Sequence, residues 1–156
     1  MIIGRNRRPS SVKSLSRSAV HVWDLGNQFF VIMVEEVKNS LQELLSKVSG
    51  LYSVIITDRD GVHLLKVNTD KAPEHAMRPN FISTFGLAVD QGSKLGLGKT
   101  DTLICVYSQY QVIQMNKLPL IVTFIASDSC NTGHILAVQK QLDPIIASLA
   151  LAVAES

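Results

Sequence analysis

The sequence predicts an α+β fold in which helices cover both faces of a β-sheet. Two observations indicate this fold: a hairpin signal at residues 51–67, and two later segments, 103–106 and 120–126, that are continuously apolar except for Thr123. A half-exposed strand alternates apolar and polar residues, whereas a continuously apolar strand is typical of a sheet with both faces covered. Amphipathic segments at the two ends of the chain supply covering helices.

The hairpin is the first predicted pair of strands. Residues 51–57 and 62–67 are rich in β-branched and aromatic side chains, and Asp60-Gly61 lies between them. That dipeptide readily takes the positive φ values that a tight hairpin turn needs. We therefore expect two antiparallel strands here, followed by three more at residues 102–107, 110–116 and 120–126.

Two amphipathic helices flank the strands. The first precedes Gly50, a natural helix stop, and the last begins after Asn131 or Thr132, either of which can cap it. Pro144 predicts a kink near Gln141. The apolar stripes recur at three- and four-residue spacing. They comprise Val34, Val37, Leu41, Leu44, Leu45 and Val48 in the first helix, and Ile135, Val138, Leu142, Ile145, Leu149 and Val153 in the last.

A central helix is predicted between the hairpin and the later strands. Pro73 suits its first turn, and Pro79 should kink or restart it. Its apolar residues spread over more than one face, so one stripe can cover the sheet while another is left over. Glycine inside a helix costs about 1 kcal/mol relative to alanine. Gly86 therefore favours close approach by another helix, although core packing alone also explains it.

This order of elements resembles the roadblock/LC7 family, a relative of the longin and profilin-like folds. Several local blocks narrow the resemblance further: TDRDGV (57–62), APEHA (72–76) with RP (78–79), STF (83–85), DQGSKLGL (90–97) and YQV (110–112). With these blocks, residues 33–156 look like the MEK-binding subunits of the Ragulator complex. The block at residues 90–97 is specific to those subunits rather than to the fold.

The resemblance implies an αββαβββα sandwich with a five-stranded antiparallel sheet. It also implies a non-enzymatic scaffold without a cofactor, which forms a heterodimer with a second roadblock subunit and joins other Ragulator subunits. The implied partners are Rag GTPases, recruited for amino-acid signalling to mTORC1, and the kinases MEK and ERK. The implied location is the cytoplasmic face of late endosomes and lysosomes, reached through a lipidated sister subunit. No nucleic acid is expected.

The same resemblance implies where the partner subunit binds. The two sheets would join edge to edge through their third strands, and the two central helices would pack antiparallel. A partner would also cover an edge strand that otherwise invites aggregation. The expected interface comprises Ile82, Phe85, Gly86, Val89, Thr102, Leu103, Ile104, Cys105, Val106 and Tyr107.

Residues 1–32 lie outside the matching region, since Met33-Val34-Glu35-Glu36 fits the start of the family's chains. This leader carries five Lys or Arg residues against one Asp, a net charge of +4, so the rest of the chain carries −2 of the total of +2. We expect a disordered basic tail. A mitochondrial transit segment, a weak nuclear signal or a nucleic-acid-binding arm are the alternatives. The run 19–34 contains too many polar residues to span a bilayer.

The remaining chemical motifs are weak. The loop between Gly92 and Thr100 contains Gly-Leu-Gly-Lys-Thr, similar to a phosphate-binding loop, and a nucleotide-binding protein is one alternative function. However, the loop follows a helix and leads into a strand, which is the reverse of the required context. Cys130 lies near a helix N-terminus that could lower its thiol pKa, but a structural role is expected. The four histidines have no metal-ligand spacing.

Overall fold

A computed structural model describes the backbone of residues 17–154 and the side chains of residues 26 and 28–154. Three long helices, five strands and one short 3₁₀ helix follow in the predicted order. They are α1 (Arg17–Lys47), β1 (Leu51–Thr57), β2 (His63–Asn68), the 3₁₀ helix (Glu74–Met77), α2 (Pro79–Ser93), β3 (Thr102–Val106), β4 (Tyr110–Lys117), β5 (Leu120–Ser127) and α3 (Thr132–Ala154). The predicted αββαβββα sandwich is confirmed.

The five strands form one antiparallel sheet in the order β2-β1-β5-β4-β3. Strands β1 and β5 lie in the middle, and their side chains are almost entirely buried. Strand β3 is at one edge, where it pairs with β4 alone among the described strands. One side of β3 is therefore open to another chain.

The β1–β2 turn is ordered by its own side chains. One carboxylate oxygen of Asp58 accepts hydrogen bonds from the backbone N–H groups of Asp60 and Val62, both at 2.9 Å. Gly61 has φ +83°, and a Cβ there would lie 2.9 Å from the carbonyl oxygen of Pro79. Only glycine fits this combination of positive φ and close approach. The turn thus packs directly against the start of α2.

The two faces of the sheet have different covers. One face carries Ile55, Val112 and Ile125, which form a cluster with Ile82 and Phe85 of α2. Alternate residues such as Phe124 point to the other face and are fully buried. The chain supplies α1 and α3 for that second face. Their buried stripes are Val37, Leu41 and Leu44 in α1, and Ile135, Val138, Leu142, Ile146 and Leu149 in α3.

Helix α1 differs from the expectation, because it begins at Arg17 rather than near Val34. The described part of the expected disordered tail is therefore helical. Residues 17–33 contain no proline, and extending an existing helix by one residue adds a hydrogen bond without a new nucleation cost. The chain divides into two units, Met1–Met33 and Val34–Ser156. The basic cluster that supports the transit-segment and nuclear-signal alternatives lies in residues 1–16, outside the described residues.

The predicted helix starts and stripes need two corrections, at Pro73 and at Ile145. Pro73 precedes only the 3₁₀ helix. Helix α2 begins separately at Pro79, and proline suits this first position because a backbone N–H there would have no partner within the helix. In α3, Ile146 is buried instead of Ile145, because it continues the stripe of Leu142 by one full turn. Asn131 caps this helix as predicted, accepting the His134 N–H at 3.1 Å.

Helix α3 also has the length and apolar composition of a membrane span. Five of its side chains are nevertheless buried within the domain. A helix that packs one stripe into a core passes the same test of length and composition. Its role in the fold is that of a core helix that continues through Pro144.

Candidate partner-binding surface

The open edge of β3 presents backbone groups that no other described strand pairs. The Tyr107 N–H donates to the Tyr110 carbonyl at 2.7 Å, and the Asn116 N–H donates to the Asp101 carbonyl at 2.8 Å. Hydrogen-bonded pairs alternate with non-bonded pairs along an antiparallel ladder. The N–H and C=O groups of the intervening residues at positions 102, 104 and 106 therefore point away from β4. This edge can add another strand without any change in the sheet.

The side chains of β3 divide between two environments. Leu103 and Cys105 pack against the cluster beneath α2. Ile104 and Val106 project from the opposite face and are 42% and 71% exposed. The expectation that both faces of this strand are covered is therefore wrong for the isolated chain, because α1 and α3 do not cover the outermost strand. Apolar side chains beside unpaired backbone groups are typical of an edge that pairs with a partner.

Two expected interface residues of α2 belong to the core instead. Ile82 is 1% exposed and Phe85 is 5% exposed, since both pack on the chain's own sheet. Thr102, at the start of β3, is half-buried, as is Val89 of α2. The large apolar side chain that α2 exposes is Leu87, at 67%, which the sequence interpretation did not single out.

Gly86 has open space beside it. A Cβ built at this position meets no atom within 4 Å, apart from its immediate neighbours and its own helix backbone. Close packing inside this chain therefore does not explain the glycine. A side chain would project toward the space next to α2 that a partner can occupy.

The connection from α2 to β3 is held at both ends by one hydroxyl. Ser93 Oγ accepts a hydrogen bond from the Thr100 N–H at 3.0 Å and donates one to the Val89 carbonyl, also at 3.0 Å. Between these ends, Leu95 and Leu97 are exposed. The loop follows a helix and leads into an edge strand, so the structure gives it the wrong context for a phosphate-binding loop.

The described residues hold little that could support catalysis. Burial raises the pKa of the Cys130 thiol, which is the opposite of the lowered pKa that a helix N-terminus could cause. No group of three or more His, Cys, Asp or Glu residues within the described range could hold a metal ion.

A pocket of about 410 Å³ lies between α2, the β1–β2 turn and the β4–β5 connection. Two buried side-chain oxygens in its lining, Gln114 Oε1 and Asn116 Oδ1, have no hydrogen-bond partner in the described chain. Sequence reasoning missed this pocket, because its residues come from α2, β4, β5 and the β1–β2 and β4–β5 turns, which are distant in sequence. The signal that could have indicated it is a pair of amide side chains, Gln114 and Asn116, two positions apart in the otherwise largely apolar strand β4.

The sheet order, the open edge and the single helix on one face define the roadblock/LC7 fold. A roadblock/LC7 domain from Streptomyces avermitilis superposes with a TM-score of 0.51 at 13% identity, over 76% of this chain and 94% of that one. The gliding protein MglB from Thermus thermophilus gives 0.61 at 14% identity, over 80% and 90%. These distant likenesses establish the fold alone.

Sequence relatives define the family. Residues 35–153 match the profile described as mitogen-activated protein kinase kinase 1 interacting. The chain is 53% identical over 117 residues to human Ragulator complex protein LAMTOR3, covering 75% of this chain and 94% of that protein. Its identity to the Drosophila melanogaster LAMTOR3 homolog is 54% over 124 residues, covering 80% and 100%. The chain belongs to this LAMTOR3 family, which confirms the resemblance inferred from the sequence and supports an adaptor role.

Proposed function

We propose that this chain is a non-enzymatic adaptor subunit of a Ragulator complex and that it acts as a heterodimer with a second roadblock subunit. The observation that carries the proposal is the open edge of β3, where Ile104 and Val106 are exposed beside unpaired backbone groups. The names of the relatives support the choice of complex. No catalytic or cofactor-binding role is needed to explain the described residues.

The proposed interface joins β3 to the corresponding edge of the partner and packs α2 against the partner's central helix. Thr102, Ile104 and Val106 provide outward backbone groups, while Tyr107 lies at the end of the strand. Leu103 and Cys105 hold the strand against its own core, as Ile82 and Phe85 hold α2. The pocket beside α2 is lined on the helix side by Gly86, Leu87 and Val89.

The paired subunits would then recruit kinases and GTPases. The family description names mitogen-activated protein kinase kinase 1, which supports binding of MEK, with ERK placed beside it. Membership of a Ragulator complex supports recruitment of Rag GTPases for signalling to mTORC1. The complex would sit on the cytoplasmic face of late endosomes and lysosomes, held by a lipidated sister subunit, so this chain needs no membrane contact of its own.

The test is affinity purification of the full chain from cells, with identification and quantification of the co-purifying proteins. We expect a second roadblock subunit, the other Ragulator subunits, Rag GTPases and MEK to be enriched. A Val106→Lys variant should lose the roadblock partner, because the lysine charge would be buried at the joined edge. Val62→Lys is the matched control, since Val62 is 58% exposed outside this edge.

Two outcomes would contradict the proposal. Purification of the wild-type chain without any roadblock partner would reject the adaptor complex. Equal recovery of the roadblock partner with Val106→Lys and Val62→Lys would reject β3 as the site of pairing, even if the complex itself is correct.

A further inference from the structure

The pocket beside α2 contains two buried acceptors that the described chain leaves unpaired. Gln114 is 2% exposed, and its Nε2 donates to Thr123 Oγ1 at 3.1 Å and to the Ile82 carbonyl at 3.4 Å. Its Oε1 has no hydrogen-bond partner among the described residues. Asn116 donates from Nδ2 to the Thr100 carbonyl at 3.5 Å, and within the same part of the chain its Oδ1 has no partner either.

These two oxygens belong to one site. Gln114 and Asn116 are two positions apart on β4, so both side chains project from the same face of the sheet, the face beneath α2. Both line the same pocket. Buried polar atoms are nearly always paired in folded proteins. Two unpaired acceptors in one pocket therefore need hydrogen-bond donors from outside the described chain, which water or a donor-rich ligand can supply.

The charged residues of the lining favour a cation. The carboxylates of Asp60 and Asp90 are exposed at the pocket, against the single guanidinium of Arg59. Neither carboxylate forms a salt bridge in the part of the chain that the structure describes. An anionic ligand would meet unpaired oxygens and two carboxylates, so phosphate and carboxylate groups are poor candidates.

The rest of the lining suits a hydrocarbon chain. Leu87 and Val89 of α2 line the pocket on the helix side, together with Leu118 of the β4–β5 connection and Ile121 of β5. Gly86 adds no side chain to the α2 wall, and a Cβ there would meet nothing within 4 Å. A ligand with an apolar stem and a donor-rich cationic head would match both parts of the pocket.

We propose that this pocket binds an arginine side chain of a partner polypeptide. The guanidinium has five N–H donors and no acceptor, and its planar fork can serve two amide oxygens and a carboxylate together. It would donate to Gln114 Oε1 and Asn116 Oδ1 and pair with Asp90, while its methylenes lie along Leu87. Lysine is a weaker match, because its ammonium is compact and strongly hydrated.

The inference rests on the proposed adaptor function only in assigning the arginine to a partner chain. The test is therefore made with a small probe that does not require pairing through β3. N-acetyl-arginine amide is titrated into the full-length, ¹⁵N-labelled chain, and the backbone and side-chain amide resonances are followed by NMR. We expect saturable shifts of the Gln114 and Asn116 side-chain amides, with a Kd of about 1–10 mM, typical of a single side chain.

The variants separate this site from general cation binding. Gln114→Leu should weaken binding about tenfold by removing the buried acceptor. Asp90→Asn should also weaken it, and because Asp90 is exposed this variant should fold even if Gln114→Leu does not. Asp70→Asn, an exposed carboxylate outside the pocket lining, is the matched control and should change nothing. Arg59→Gln should strengthen binding by removing a like charge.

Three results would overturn the proposal. They are the absence of saturable shifts at Gln114 and Asn116, equal binding of N-acetyl-lysine amide, and equal loss of affinity in Asp90→Asn and Asp70→Asn. Tighter binding of free arginine than of the capped form would contradict the assignment to a polypeptide side chain, because only the free form carries an α-amino group and an α-carboxylate.

Discussion

Replacing Ile104 and Val106 with threonine should weaken heterodimer formation without unfolding the chain. Threonine keeps the β-branched shape that strands favour, and at exposed positions its hydroxyl remains solvated in the unpaired chain. Full burial of a valine or isoleucine side chain contributes about 1.5–3 kcal/mol. We multiply this energy by the exposed fraction of each side chain, 42% for Ile104 and 71% for Val106. Burial on pairing can then contribute about 0.6–1.3 kcal/mol from Ile104 and about 1.1–2.1 kcal/mol from Val106.

The double variant should therefore lose about 1.7–3.4 kcal/mol of binding free energy, which raises the Kd about 20- to 300-fold. Isothermal titration calorimetry with the purified partner subunit measures this change, and thermal unfolding of the unpaired chain checks that the fold is intact. Val62→Thr is the matched control, because it makes the same exchange at an exposed position away from β3. A Kd within twofold of the wild-type value would refute the assignment of these side chains to the interface.

Three further predictions concern stability. Gly86→Ala should raise the free energy of unfolding of the isolated chain by about 1 kcal/mol, because a Cβ there meets nothing within 4 Å; a decrease in a urea titration would contradict the open space. Burial, and then the charge of Lys66, lower the pKa of His63 below 6.5. The unfolded chain therefore binds the proton more readily, so stability should fall as pH drops below about 6.5, and His63→Gln should flatten that fall in urea titrations at a series of pH values. A chain beginning at Met33 should unfold within about 2 °C of the full chain and still bind its roadblock partner, and a larger loss by calorimetry would make the leader part of the fold.

Local signals in the sequence were enough to predict the order of elements. Asp60-Gly61 specifies its turn through backbone conformation, and Asn131 caps α3 through a contact three residues away. The extension of α1 to Arg17 was not predicted, because the family match drew the boundary at Met33 and the basic composition of the leader favoured disorder.

The binding surface was predicted only in part, because its environment depends on contacts between distant segments. Helix α2 is apolar on several faces, and only packing on the sheet decides that Ile82 and Phe85 are buried while Leu87 is exposed. Strand β3 is apolar throughout, but its outermost place in the sheet leaves Ile104 and Val106 uncovered. The pocket beside α2 was missed altogether, because Gln114 and Asp90 come together only in three dimensions.

The Ser93–Thr100 hydrogen bond has a consequence for the entropy of association. It joins the last turn of α2 to Thr100, two residues before the edge strand, so the two elements proposed to contact the partner are already linked to each other before binding. Ordering flexible segments on association costs free energy that reduces affinity. Because this cost is met during folding, the subunit can bind its partner as a nearly rigid body, and the exposed Leu95 and Leu97 remain the part of this region left to adapt.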